Sequence, residues 1–121
     1  MEALKILNIA ANALNEKKAT NLAALKVDDL TVLTEYFVLA TATSSTHVRA
    51  LADEVEFKLT EQGVEPHHIE GKSTGWVLLD YGNVIVHVFS RDAREFYNLD
   101  KMWADGTVID LEGILLSEQE K

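Results

Sequence analysis

Histidines and carboxylates are the side chains here whose types and spacing suit acid–base or metal chemistry. His87 lies within an apolar stretch, residues 84–90, and Asp80 precedes it across a turn, as a base and its orienting carboxylate would. Such a pair needs a nucleophile, and the chain offers only hydroxyls, without the glycine pattern of a nucleophile elbow. The absence of cysteine excludes thiolate catalysis and Cys-based zinc sites. Phosphoryl chemistry has no support either, because the sequence has neither an Asp-x-Asp pair nor the full Gly-x-x-x-x-Gly-Lys-Ser/Thr pattern of a phosphate-binding loop.

The second chemistry that the sequence suggests is metal binding, by the adjacent His67 and His68 together with Glu65 and Glu70. Neighbouring residues of a strand point to opposite faces, so the two histidines cannot chelate one ion together. No His-x-x-x-His spacing supports a site elsewhere. We therefore expect solvated side chains at these positions, no bound metal and no cofactor.

The bulk composition limits the class of partner. The 121 residues carry 20 Asp and Glu against 11 Lys and Arg, a net charge of -9, with no basic run. Bare nucleic acid should repel such a chain, so a basic protein is the expected complement. The N-terminus lacks the basic start and long apolar core of a signal peptide, and no apolar run reaches membrane length, which predicts a cytoplasmic protein. We expect one domain over residues 1–121, with about 112–121 forming a short, partly frayed tail.

The elements that must position these residues follow from hydrophobic periodicity. The predicted order is α-β-β-α-β-β-β-α, an α/β fold whose mixed five-stranded sheet is packed by helices. A strand–helix–strand crossover should pair strands 36–43 and 64–71 in parallel, and a C-terminal hairpin should follow. Helices are predicted at 2–17 and from the Thr-Ser-Ser at 43–45 to near Gly63, strands at 20–27, 36–43, 64–71, 75–80 and 83–90, and short helical turns at 91–106.

Strict alternation divides the hairpin into two unlike faces. The aliphatic face should lie under the helices, whereas the mixed face is either a second core layer or a docking surface. The aliphatic set is Val77, Leu79, Val84, Val86 and Val88, and the mixed set is Trp76, Leu78, Asp80, Ile85, His87 and Phe89. In the next segment we expect Phe96, Leu99 and Trp103 to pack on the sheet, with Glu95, Tyr97 and Asp100 outside.

Three stretches of this sequence resemble the ribosomal silencing factor family, also called Iojap-related proteins. They are LTEYFVLATATSSTHVRALADEVEFKL, GWVLLDYGNVIVHVF and REFYNLDKMW. The resemblance implies a nucleotidyltransferase-like fold without its chemistry and a translation repressor rather than an enzyme. Such a repressor binds the large ribosomal subunit through its ribosomal protein number fourteen and blocks association with the small subunit, lowering translation in stationary phase or starvation. Organellar relatives imply an alternative role in large-subunit biogenesis, and residual nucleotidyl transfer is a remote one.

The resemblance also implies which residues contact the ribosomal protein. Trp76, Leu78 and Tyr81 are expected as apolar anchors, while Asp80, Glu95 and Glu70 face its lysines or arginines. Little direct RNA contact is expected, and the same apolar face could pair two copies of the free protein. The full set of expected contact residues is Trp76, Leu78, Asp80, Tyr81, His87, Phe89, Glu95 and Tyr97.

Overall fold

A computed structural model of the chain describes residues 2–71 and 75–119, which form five helices and six strands. The predicted order of the first seven elements is confirmed. The helices are α1 (Ala3–Glu16), α2 (Ser45–Glu61), α3 (Arg91–Tyr97), α4 (Leu99–Met102) and α5 (Leu111–Gln119). The strands are β1 (Thr20–Lys26), β2 (Tyr36–Ala42), β3 (His68–Glu70), β4 (Trp76–Asp80), β5 (Val84–Ser90) and β6 (Thr107–Val108).

The strands form one mixed sheet in the order β3-β4-β5-β2-β1-β6. Its only parallel pair among the described residues is β2 with β5, running from Tyr36 opposite Val84 to Ala42 opposite Ser90. The prediction of a parallel partner at 64–71 is therefore wrong. That segment keeps only the three-residue β3, which pairs antiparallel with β4 at the sheet edge. The two long apolar strands take the centre because only there are both their faces covered.

Helices α1 and α2 cover one face of the sheet. Helix α2 begins where predicted, since the Ser44 hydroxyl accepts a hydrogen bond (3.0 Å) from the His47 backbone N–H and so caps the helix. The apolar stripe predicted for α2 is confirmed, because the residues that α2 buries are Val48, Leu51, Ala52, Val55 and Leu59. They join the aliphatic face of the hairpin in the larger of two core clusters.

The C-terminal part of the chain differs from the prediction. Strand β6 pairs with Leu25 and Lys26 of β1, so the sheet has six strands instead of five. Residues 112–119, expected in a frayed tail, belong to α5, and residues 120–121 lie outside the described part. Leu111 and Ile114 of α5 pack against the larger core cluster, and this tertiary packing stabilises the helix.

None of the described helices, within residues 2–71 and 75–119, is both long enough and apolar enough to cross a bilayer.

Candidate functional site

The sheet face opposite α1 and α2, called the open face below, carries the mixed side chains of the hairpin. Trp76 lies opposite Phe89, Leu78 opposite His87 and Asp80 opposite Ile85 in the β4–β5 ladder. Both predicted faces of the hairpin are thereby confirmed. Trp76, Leu78, Asp80 and Ile85 are half-buried, so the outer part of this face stays accessible.

His87 lies beneath that accessible layer, with 4% of its surface exposed. Its Nδ1 accepts a hydrogen bond (3.1 Å) from the indole N–H of Trp76, and the ring of Phe37 meets it edge-on at 4.9 Å. Burial lowers the pKa of His87 from 6.5 to about 4, so the imidazole is neutral at physiological pH. Because Nδ1 accepts, the proton is on Nε2. His87 therefore orients Trp76.

Phe89 also supports Trp76. Its side chain is 1% exposed, and its ring stacks against Trp76 with centroids 5.3 Å apart and planes 25° from parallel. Phe89 belongs to the smaller core cluster, under α3 and α4. His87 and Phe89, both expected as contact residues, are thus buried in the free protein and hold Trp76 in place. Their direct contact with a partner stays a prediction.

Tyr81 lies on the covered side of the sheet. It follows Asp80 directly, and the alternation of the strand continues into the turn, so its ring joins the cluster under α1 and α2. Its side chain is 4% exposed, and its hydroxyl has no hydrogen-bond partner among the described residues. Burial, with smaller contributions from Glu56 and Glu65, raises the pKa of Tyr81 well above its usual value of 10. Tyr81, expected as an anchor, is thus buried on the opposite side of the sheet from Trp76 and Leu78, and its contact with a partner stays a prediction.

Helices α3 and α4 pack across one end of the open face. Leu99 is 8% exposed, and Trp103 meets the Phe37 ring edge-on at 4.9 Å, so both pack on the sheet as predicted. Phe96 does not, because 82% of its surface is exposed. Tyr97 takes the inner position instead, 4.6 Å from Trp76 between ring centroids, while remaining 46% exposed.

Arg94 fixes the position of these two short helices. Its guanidinium donates two hydrogen bonds to the carboxylate of Asp100 (2.8 and 3.1 Å) and one to the Thr41 hydroxyl (2.9 Å). It also donates to the backbone carbonyl of Asn21, a residue with φ of +47° at the irregularity of β1. The hydrogen bonds from Arg94 lower the pKa of Asp100. One side chain thus joins α3, α4 and two strands.

Replacing Arg94 with methionine should therefore weaken the packing of α3 and α4 against β1 and β2. Its side chain is 13% exposed, and the substitution leaves the Asn21 carbonyl and the Asp100 carboxylate without their donor. We expect a loss of about 1–2 kcal/mol in the free energy of unfolding, measured by urea denaturation. Arg91→Met, an exposed position on the same helix, is the control and should change it by less than about 0.5 kcal/mol. Equal effects from the two substitutions would contradict this role.

Two carboxylates, those of Glu70 and Asp80, border the open face. Glu70 is 64% exposed and lies 2.6 Å from His68 Nε2, while one oxygen of Asp80 accepts from the Gly82 backbone N–H (2.7 Å). Glu95 is exposed on the far side of α3 from Trp76, beside Arg94. No group of three or more His, Cys, Asp or Glu within the described ranges is placed to hold a metal ion.

Phe96 and Asp92 border the accessible part of Trp76, and the sequence does not single out either of them as a site residue. Both line a groove with Trp76 and Tyr97. Their spacing of four residues in the sequence indicates that they lie on one side of a helix, next to the pair Ala93 and Tyr97, which has the same spacing. Sequence alone leaves open which pair turns toward the sheet.

Comparison with known proteins gives consistent results at the levels of sequence and structure. The family model described as "Ribosomal silencing factor during starvation" matches residues 1–121. A ribosomal silencing factor from Halalkalibacterium halodurans is 38% identical over 112 residues, covering 92% of this chain and 96% of that protein. One from Bacillus subtilis is 37% identical, covering 93% and 96%. A crystal structure of a Chromobacterium violaceum protein superposes with a TM-score of 0.83 at 36% identity, covering 86% and 88% of the two chains.

Proposed function

Because this chain belongs to the ribosomal silencing factor family, we propose that it lowers translation by blocking the association of the large ribosomal subunit with the small one. In this proposal it acts in the cytoplasm, as a binding protein and not as an enzyme, and its direct partner is the basic ribosomal protein number fourteen of the large subunit. The observation that supports the proposal best is the accessible part of the open face, with apolar side chains in the middle and carboxylates at its border.

The apolar part offers a surface that a partner can dehydrate. Trp76, Leu78 and Ile85 are half-buried side by side, and Tyr97 extends the surface over the start of β4, beside Trp76. Trp and Tyr are enriched among residues that contribute most to protein–protein binding. The buried His87 and Phe89 hold Trp76 in one orientation, which reduces the entropy lost on binding.

The charge around this surface favours a basic protein over RNA. Glu70 and Asp80 border the apolar part, and Glu95 adds an exposed carboxylate on the outer side of α3, within a chain of net charge -9. Carboxylates attract lysine and arginine side chains at long range and repel phosphates. We therefore expect binding to weaken as salt is added, because these charges are accessible to solvent.

Occupation of the joining surface is sufficient for this mechanism. A bound protein of 121 residues excludes the small subunit by its volume and needs to transfer no chemical group. Leu78, at the middle of β4, is the position chosen to test this binding. It is half-buried, so a substitution there should disturb the core little, and it lies next to Glu70 of β3.

Leu78→Arg should weaken binding to purified large subunits by at least about tenfold, since it places a cation against a basic partner. The measurement is co-sedimentation, read together with light scattering of subunit joining. The matched control is Phe57→Arg, which makes the same charge change at a 56% exposed position of α2, on the other side of the molecule. Circular dichroism checks that both variants fold. Equal co-sedimentation of the two variants would refute the open face as the binding surface. Normal subunit joining in the presence of bound protein would instead favour the assembly role.

A further inference from the structure

The groove between the start of β4 and helix α3 is lined in large part by aromatic side chains. Three aromatic rings, those of Trp76, Phe96 and Tyr97, and the carboxylate-bearing Asp92 border a space of about 510 Å³. We call these four residues and the space between them the aromatic groove. Three other concave surfaces, near Asn12, Arg94 and Ser44, are lined mainly by polar side chains.

The rings of the aromatic groove support one another. Trp76 is fixed from behind by its hydrogen bond to His87 and by its stacking on Phe89. Tyr97 lies 4.6 Å from Trp76, and Phe96 meets Tyr97 edge-on at 5.1 Å. Phe96 is nevertheless 82% exposed, so its ring borders the groove without being part of the core.

The base of the groove is formed by a close approach of two backbone segments. The backbone N–H of Ser90 donates to the carbonyl of Gly75 (2.7 Å), and the Ser90 hydroxyl caps α3 by accepting from the Ala93 N–H (3.1 Å). A Cβ atom at position 75 would lie 2.7 Å from the Ser90 hydroxyl oxygen. Glycine therefore allows α3, which carries Asp92, Phe96 and Tyr97, to start directly beside Trp76.

Aromatic faces and a carboxylate together favour a cation. The ring quadrupole is negative above each face, and a guanidinium stacks on such faces while it donates hydrogen bonds to a carboxylate. No lysine or arginine is found among the described residues that line the groove, and Arg94 on the same helix is occupied by Asp100, Thr41 and Asn21.

We propose that the aromatic groove binds one arginine side chain of the protein partner. The inference rests on the proposed function and deepens it, because it names the chemistry that one end of the open face recognises. A nucleobase could stack on the same rings, but the adjoining phosphates would face Asp92 and a chain of net charge -9. An aliphatic side chain would leave Asp92 without a counter-charge.

A direct titration of the free protein tests the groove without the ribosome. The probes are the blocked peptide Gly-Arg-Gly and its neutral isostere with citrulline in place of arginine. The Trp76 indole N–H resonance reports binding by NMR and is assigned with the Trp103→Phe variant. We expect millimolar binding of the arginine peptide and at least about fivefold weaker binding of the citrulline peptide. Asp92→Asn and Phe96→Leu should each weaken arginine binding about threefold to tenfold. Equal affinity for the two peptides, or no shift with either, overturns the inference.

Co-sedimentation with large subunits then separates the two proposals. Asp92→Asn and Phe96→Leu should bind about threefold to tenfold more weakly than the unmodified chain, whereas Phe57→Leu on α2 should bind normally. If the unmodified chain binds and neither groove variant is weakened, the arginine inference is wrong and the proposed function stands. If the arginine peptide binds but the unmodified chain fails to sediment with large subunits, the proposed function is wrong and the groove remains a cation site.

Discussion

Phe89→Ala should lower the free energy of unfolding by about 3–5 kcal/mol, the range found when a large buried aromatic side chain is removed. Phe89 is 1% exposed and stacks on Trp76 at 5.3 Å and on His87 at 5.9 Å. Its removal leaves a cavity between β5 and the helices α3 and α4. Urea denaturation followed by circular dichroism measures the change.

Phe96→Ala is the matched control for this experiment. It removes the same side chain from an 82% exposed position of α3, so we expect less than about 0.5 kcal/mol of change in unfolding free energy. The two phenylalanines should therefore separate stability from binding. A loss below about 1 kcal/mol for Phe89→Ala would mean that Phe89 is not a core residue, and the assignment of Phe89 as a support would be wrong.

Stability should fall by about 2 kcal/mol between pH 8 and pH 5 through the titration of His87 alone. Burial lowers the pKa of His87 to about 4 in the folded protein, whereas its value in the unfolded chain is near 6.5. As the pH falls below 6.5, the unfolded chain takes up a proton that the folded protein cannot, so unfolding becomes more favourable. The contribution of the neutral, buried His87 is complete above about pH 6.5 and is lost progressively toward pH 4.

His87→Gln isolates this effect. The glutamine oxygen can accept the hydrogen bond from the Trp76 indole N–H, but the side chain does not titrate. Urea denaturation from pH 8 to pH 5 should show a pH dependence about 2 kcal/mol smaller for the variant than for the unmodified chain. Because only position 87 differs, the difference between the two profiles reports its titration. Parallel profiles would show that His87 is accessible to protons in the folded protein.

The hairpin was the part of the fold that sequence predicted best. Alternation over residues 76–80 and 84–90 assigned each side chain to its face, because a buried sheet face tolerates no register error. The alternation also holds for Tyr81, one residue beyond the end of β4. Alternation places Tyr81 on the side opposite Asp80, which is where it lies, whereas resemblance to a family motif made it an anchor.

The partner of β2 was not predictable from the local sequence in the same way. A crossover through α2 was expected to return to residues 64–71, but burial decides which strand joins the centre. Residues 84–88 are apolar except for the buried His87, while the His-Ile-Glu of β3 has exposed polar ends suited to an edge. The choice between Phe96 and Tyr97 as the inner residue depends on the rotation of a two-turn helix, which Arg94 sets through tertiary contacts.

The sheet order also determines when during synthesis the docking surface exists. Strand β2 pairs early with β1, but its parallel partner β5 comes 48 residues later, since Tyr36 pairs with Val84. Such long-range pairs form late because a large loop must close first. The helices that carry Tyr97 and fix the aromatic groove follow β5 and end at Met102. A chain emerging from the ribosome is thus without its open face until most of its length has been translated. If the open face is the binding surface proposed above, a nascent copy cannot use it before α3 and α4 have been synthesised.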